Sequence, residues 1–175
     1  MSSESIESAW KRLAGVLEAV ERSIDEHGEK LDRAEPEVSN WTIGQQFDHL
    51  LRATEHNLKA VRLIERGDDE RLNSEPRTRA AGGLFSKGSI PRGIAEAPES
   101  VQPDSSPKLE ELTARLAAVR ELEAAFDTSP DHWARVDQKL DHPSLGPLDP
   151  EEWLRFAEIH TAHHLEIIRD IAASA

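Results

Sequence analysis

Apolar residues recur at three- and four-residue steps in four stretches of the chain, and each stretch carries helix start or stop signals. In the first, Ile6, Trp10, Leu13, Leu17, Val20 and Ile24 share a face. This predicts a helix from about Ser5 to His27, with Gly28 as its stop. A short continuation to Ala34 is compatible with the pattern, before Pro36 disfavours helix at Glu35. The second helix is predicted to begin near Thr42, where TIGQ places a capping Thr three residues before Gln45, and to run to about Arg66 ahead of Gly67. Its apolar arc holds Ile43, Phe47, Leu50, Leu51, Leu58, Val61 and Ile64. A third helix spans about Lys108 to Asp127 on a stripe of Leu109, Leu112, Leu116, Val119, Leu122 and Phe126. The last covers residues 149 to 175, with Asp149 as cap, Pro150 in the first helical position and Glu152 completing a capping box. On it Trp153, Phe156, Ala157, His160, His164, Ile167 and Ile171 fall on one face.

From Asp68 to Ser106 there is no periodicity. Four glycines (Gly82, Gly83, Gly88, Gly93) and the prolines Pro76, Pro91, Pro98 and Pro103 mark a long irregular connection, closed by Pro107. So long a connection in a compact domain has a function or lacks order. Leu84, Phe85, Ile90 and Ile94 favour its packing on the rest of the chain. The stretch before the last helix, with Pro143, Gly146 and Pro147, also reads as loop, and its His132 and His142 are assigned no ligand role. Four amphipathic helices without a convincing strand predict an all-α four-helix bundle. It is read as one domain over residues 1–175, with an irregular insertion at about 68–106 that crosses over between helices 2 and 3.

Composition narrows the chemistry. The chain has no cysteine, so a thiolate nucleophile or ligand is excluded and any metal site must use histidine and carboxylate. A net charge of −13 argues against nucleic acid, whose phosphates are bound by Lys and Arg. No apolar run approaches the ~20 residues of a membrane span. The N-terminus MSSESIESAWKRL lacks the apolar stretch of a signal peptide, and a cytoplasmic protein is expected.

His160 and His164 stand one turn apart inside the apolar stripe of the last helix. Burying two imidazoles there is costly unless their nitrogens find partners. The i, i+4 spacing lets both converge on one metal ion. His163 lies about 60° to one side and is set aside. On the second helix His49 and His56, seven residues apart, both lie at the border of the apolar arc, where a side chain can point across a bundle. Arg92 in the long connection could meet an anionic ligand, but a solvated arginine is the preferred reading.

The segments WTIGQQFDHLLRATEHNL, HPSLGPLDPEEWL and EEWLRFAEIHTAHHLEII resemble the DinB-like (YfiT-like) superfamily of metalloenzymes, over a span from Ser39 to Ile171. The resemblance implies a four-helix bundle with one divalent metal held by a histidine of the second helix and the H-x-x-x-H pair of the fourth. Carried onto this chain, the ligands are His49, His160 and His164, and His49 is chosen over His56. Three imidazoles suit zinc or nickel, and also iron or copper. They leave an open position that acidifies a bound water or thiol. Members with assigned activities include mycothiol-dependent maleylpyruvate isomerase and bacillithiol S-transferases. By that analogy the expected function is a metal-dependent S-transferase acting on a small-molecule substrate with a low-molecular-weight thiol. One alternative is a metal-dependent hydrolase, although neither Gln46 nor Glu55 is singled out as its acid or base, and no catalytic residue is assigned. The other is a non-catalytic metal-binding or interaction bundle, with a homodimer as one of its forms. Metal affinity is expected to fall below pH ~6.5, where free imidazoles take up protons.

Overall fold

A computed structural model describes residues 5–93, 96–127 and 129–174. Helix α1, Ile6–His27, starts where the Ser5 side chain accepts from the Ser8 amide, and runs into a single 3₁₀ turn, Gly28–Lys30. Helix α2, Ile43–Arg66, carries both halves of the Thr42–Gln45 capping box. It ends at Gly67, whose φ of 69° lies in the left-handed region where a side chain would be strained. Helix α3 is Arg79–Lys87, a 3₁₀ turn covers Glu99–Val101, and helix α4 is Leu109–Ala124. A short helix α5, Pro130–Trp133, precedes a hairpin of β1, Leu140–His142, and β2, Gly146–Leu148. Helix α6, Pro150–Ala173, opens on the Asp149–Glu152 capping box and closes the fold.

The bundle is formed by α1, α2, α4 and α6. Helix α6 packs against both α1 and α2, and α4 covers the other side of α2. Arg12 meets Glu158 and Arg33 bonds the carbonyls of Ile171 and Ser174, so α1 and α6 run parallel. Gln46 meets His164 while Thr54 meets Thr161, so α2 runs against α6. Arg115 reaches Asp48 and Arg62 reaches the Ala125 carbonyl, which makes α2 and α4 parallel neighbours. That last relation explains the length of residues 68–108. A chain leaving α2 must travel back along a helix ~36 Å long, at ~1.5 Å per residue, before it can start a parallel partner. The core is mainly apolar: Leu13, Leu17, Phe47, Leu50, Leu51, Ile64, Leu112, Trp153 and Leu154 are fully or almost fully buried, and polar side chains such as Gln46, His49, Thr54, Thr161 and His164 are buried between α2 and α6.

The structure departs from the sequence reading in two connections. The stretch 68–106 is not wholly irregular, because α3 forms within it. Thr78 caps that helix, and Ala81 and Phe85, one turn apart, are buried against the bundle. Gly82 and Gly83 weaken the local helix signal, and tertiary burial of the Ala81–Phe85 face overrides it. Ile94 lies outside the described residues. The stretch before α6 is not strandless either. Leu140 pairs with Leu148 and His142 with Gly146, in strands of three residues, too short for alternation to register. Gly146 turns that hairpin at φ 73°, and a Cβ there would stand 2.5 Å from the Thr78 methyl, so the position is closed to larger residues. Among the described residues no helix is long and apolar enough to cross a membrane.

Candidate metal centre

The antiparallel contact of α2 and α6 brings one face of each helix together a few turns from their ends. Here His49 projects from α2, and His160 and His164 from successive turns of α6. His160 Nε2 lies 3.2 Å from His49 Nε2 and 3.2 Å from His164 Nε2. One ligand atom from each of the three lies within 4.8 Å of the others, the geometry of a group able to hold a metal ion. A tetrahedral ion with zinc–nitrogen bonds of ~2.0 Å would set its ligand nitrogens about 3.3 Å apart. His49 and His164 are buried, whereas His160 keeps partial exposure.

The far side of two rings fixes which nitrogen faces the centre. His49 Nδ1–H donates to the Val101 carbonyl at 2.8 Å, and His164 Nδ1–H donates to Gln46 Oε1 at 2.6 Å. The Gln46 amide is itself oriented, because its Nε2 donates to Ser39 Oγ at 2.8 Å, which also accepts from the Trp41 amide. With each proton on Nδ1, the Nε2 atoms of neutral His49 and His164 present bare lone pairs to one another and to His160. One proton on His160 Nε2 can serve only one of these two acceptors. A divalent cation serves all three, so the donor set fits a metal. His160 Nδ1 is buried and has no hydrogen-bond partner among the described residues.

Burial keeps these rings neutral. It lowers the pKa of His49, partly offset by the Val101 hydrogen bond and the nearby Asp48 charge. His160 and His164 are driven well below the ordinary imidazole value, first by burial and then by neighbouring imidazoles. The proton competition expected to begin at pH ~6.5 is therefore displaced to lower pH in the folded chain.

The histidines divide cleanly. His163 touches His164 ring to ring at 5.1 Å but stands outside the converging group, and His56 is exposed on α2. His132 pairs with Glu65 at 3.0 Å, and Arg92 forms an ion pair with Asp170 at 2.7 Å. Three contributors were missed in the sequence. Gln46, unassigned as an acid or base in the sequence, orients His164 in the structure. The Val101 carbonyl is a backbone atom with no sequence signature. Trp41 covers the centre, with its ring 4.8 Å from His49 and stacked on His164 at 6.3 Å. A buried glutamine inside the apolar arc of α2, one turn before His49, is the signal that would have found the first.

A profile described as the DinB superfamily matches residues 5–168. The chain belongs to the DinB superfamily. Comparison with curated proteins and with solved structures gives no significant match. In this DinB-superfamily chain the HPSLGPL segment forms the hairpin before α6, and it delivers His142 onto the helix that carries the pair. His142 packs edge-on against Phe156 at 4.4 Å and beside Trp153 at 5.2 Å, one turn from His160. Burial, with a contribution from His56, lowers its pKa to about 4.

This shift sets an acid sensitivity. Below pH ~6.5 the unfolded chain binds a proton that folded His142 refuses until about pH 4, so stability falls as pH falls through that window and is regained as pH rises. The full shift corresponds to about 3 kcal/mol. Thermal melts of metal-free protein between pH 7 and 4.5 should show the decline, and His142→Gln should make it shallower, the remainder coming from the other histidines whose pKa is lowered. An unchanged slope in the variant would refute the assignment.

Proposed function

We propose that this protein is a metal-dependent enzyme whose divalent ion, zinc or nickel first, is held by Nε2 of His49, His160 and His164. The convergence of those three ring nitrogens, with the His49 and His164 rings locked from behind so that their Nε2 atoms are bare, is the observation that carries the reading. Such an ion, bound by three neutral ligands, keeps its full charge and at least one open position, and it acidifies a protic group placed there. The chain's own part is to hold the rings neutral and to cover the His49 and His164 side of the centre with Trp41.

The reaction we assign is transfer of a low-molecular-weight thiol to a small electrophilic substrate, with the thiol supplied from outside a chain that has no cysteine of its own. The hydrolase alternative needs a free acid or base beside the ion. Of the two groups considered for it, Gln46 is committed to His164, and Glu55 is bound by Lys59 and Arg115, which also hold its pKa down. Single-turnover assays of metal-loaded protein, with a panel of small thiols and a chromogenic electrophile, test this. Turnover that requires both thiol and metal is expected and should vanish on chelation. Metal-dependent cleavage of esters without any thiol would instead select the hydrolase. No turnover in either assay would favour the non-catalytic bundle.

A further inference from the structure

Asp48 precedes His49 on α2, but its side chain points away from the three histidines, towards α4 and the end of the long connection. It is 3 % exposed in a chain already charged −13. A buried carboxylate is strongly destabilising unless N–H donors surround it. Three do. Arg52 Nε donates to Oδ2 at 2.8 Å, the Asp104 backbone amide donates to the same oxygen at 2.8 Å, and Arg115 Nε donates to Oδ1 at 3.2 Å. Arg52 also grips the Asp104 carboxylate at 2.6 Å, so both backbone and side chain of residue 104 are tied to α2. Three residues upstream of that knot is Val101, whose carbonyl accepts from His49 Nδ1.

We propose that Asp48 is a positioning residue for His49. By pinning Asp104 to α2, it holds the Val101 carbonyl where it fixes the His49 ring with its proton on Nδ1 and its Nε2 bare. Two adjacent residues of one helix thus reach a common strap from different sides, one to anchor it and the other to be oriented by it. Without Asp48 the Asp104 amide loses its acceptor on α2 and residue 104 is held only by Arg52 and a long bond from Gln45, so the Val101 carbonyl shifts off Nδ1 and the two neutral tautomers of His49 mix. Partners that orient a ligand histidine from behind contribute about 10- to 100-fold in metal affinity. That part of the proposal rests on the metal reading above; the part concerning the tautomer does not.

Imidazole ¹⁵N spectra of the metal-free protein separate protonated from bare ring nitrogens and test the tautomer directly. Wild-type His49 should show a protonated Nδ1 and a bare Nε2. Asp48→Asn keeps the shape but turns one acceptor into a donor facing Arg or N–H groups. It should give a tautomer mixture at His49 and a 10- to 100-fold weaker zinc affinity, and Asp48→Glu should recover part of both. An Asp48→Asn protein that melts earlier yet keeps the wild-type His49 spectrum would overturn the proposal, since Asp48 would then be structural only. If the variants do not fold, the wild type still decides. His49 with its proton on Nε2, or an Asp104 amide that exchanges as fast as an open loop, would also overturn it. Failure of wild-type protein to bind zinc would defeat the metal reading, while the tautomer comparison would still judge Asp48.

Discussion

Replacing His160 with alanine should abolish metal binding at the three-histidine centre. His160 is the shared neighbour in the centre, 3.2 Å from each of the other two Nε2 atoms, and no other histidine of the described chain joins the group. Apparent binding free energies of ~10–16 kcal/mol for four-ligand zinc sites average about 2.5–4 kcal/mol per ligand, so affinity should fall by roughly 10²- to 10³-fold. Elemental analysis of protein purified without a histidine tag, followed by competition titration with a zinc indicator, reads the loss. The control is His163→Ala, next to His164 on the same helix but outside the group, which should retain metal. Equal metal in wild type and His160→Ala would defeat the three-histidine centre.

Trp153→Ala should be the most destabilising single truncation in the bundle. The side chain is fully buried and among the largest in the core, and it supports the His56 and His142 rings at 6.4 and 5.2 Å. Truncating such a residue leaves a void that neighbours fill only partly and costs about 3–5 kcal/mol. For a chain of this size that lowers Tm by on the order of 10 °C. Trp153 Nε1 is buried without a hydrogen-bond partner among the described residues, so Trp153→Phe removes an unsatisfied donor along with some volume and should lose much less. Circular dichroism melts of both variants check the order, and a Trp153→Ala protein within ~1 kcal/mol of wild type would refute the packing role.

The helical frame was legible because its signals are local. The boundaries of α1, α2 and α6 follow from caps that each act within one turn, Ser5, Thr42 with Gln45, and Asp149 with Glu152. Most residues their 3.6-residue periodicity selects are buried, but Ile6, Trp10 and His160 are only partly so, and α2 also buries Gln46, Asp48, Thr54 and Asn57 because neighbours cover more than one of its faces. His160 and His164 could likewise be singled out from spacing, because two polar rings in an apolar stripe demand partners. His49 was a different case. Periodicity placed it and His56 on the same stripe, and resemblance to a family was needed to choose. The helix α3 and the Leu140–Leu148 hairpin were missed since their stability comes from surfaces far away in sequence, the bundle face under Phe85 and the contact of Gly146 with Thr78.

The chain's own pattern of apolar residues and capping groups thus determined where each main helix begins, which face it buries, and that two histidines of α6 share a stripe. Only the tertiary structure decided that α2 lies antiparallel to α6 and brings His49 within 3.2 Å of His160. It also decided that Val101 and Gln46, 52 residues after His49 and 118 before His164, lock those rings from behind. The physical reason is range. A helix is stabilised by groups within four residues of each other, while a metal centre needs lone pairs from separate helices at one point, and the packing of the whole bundle sets that point.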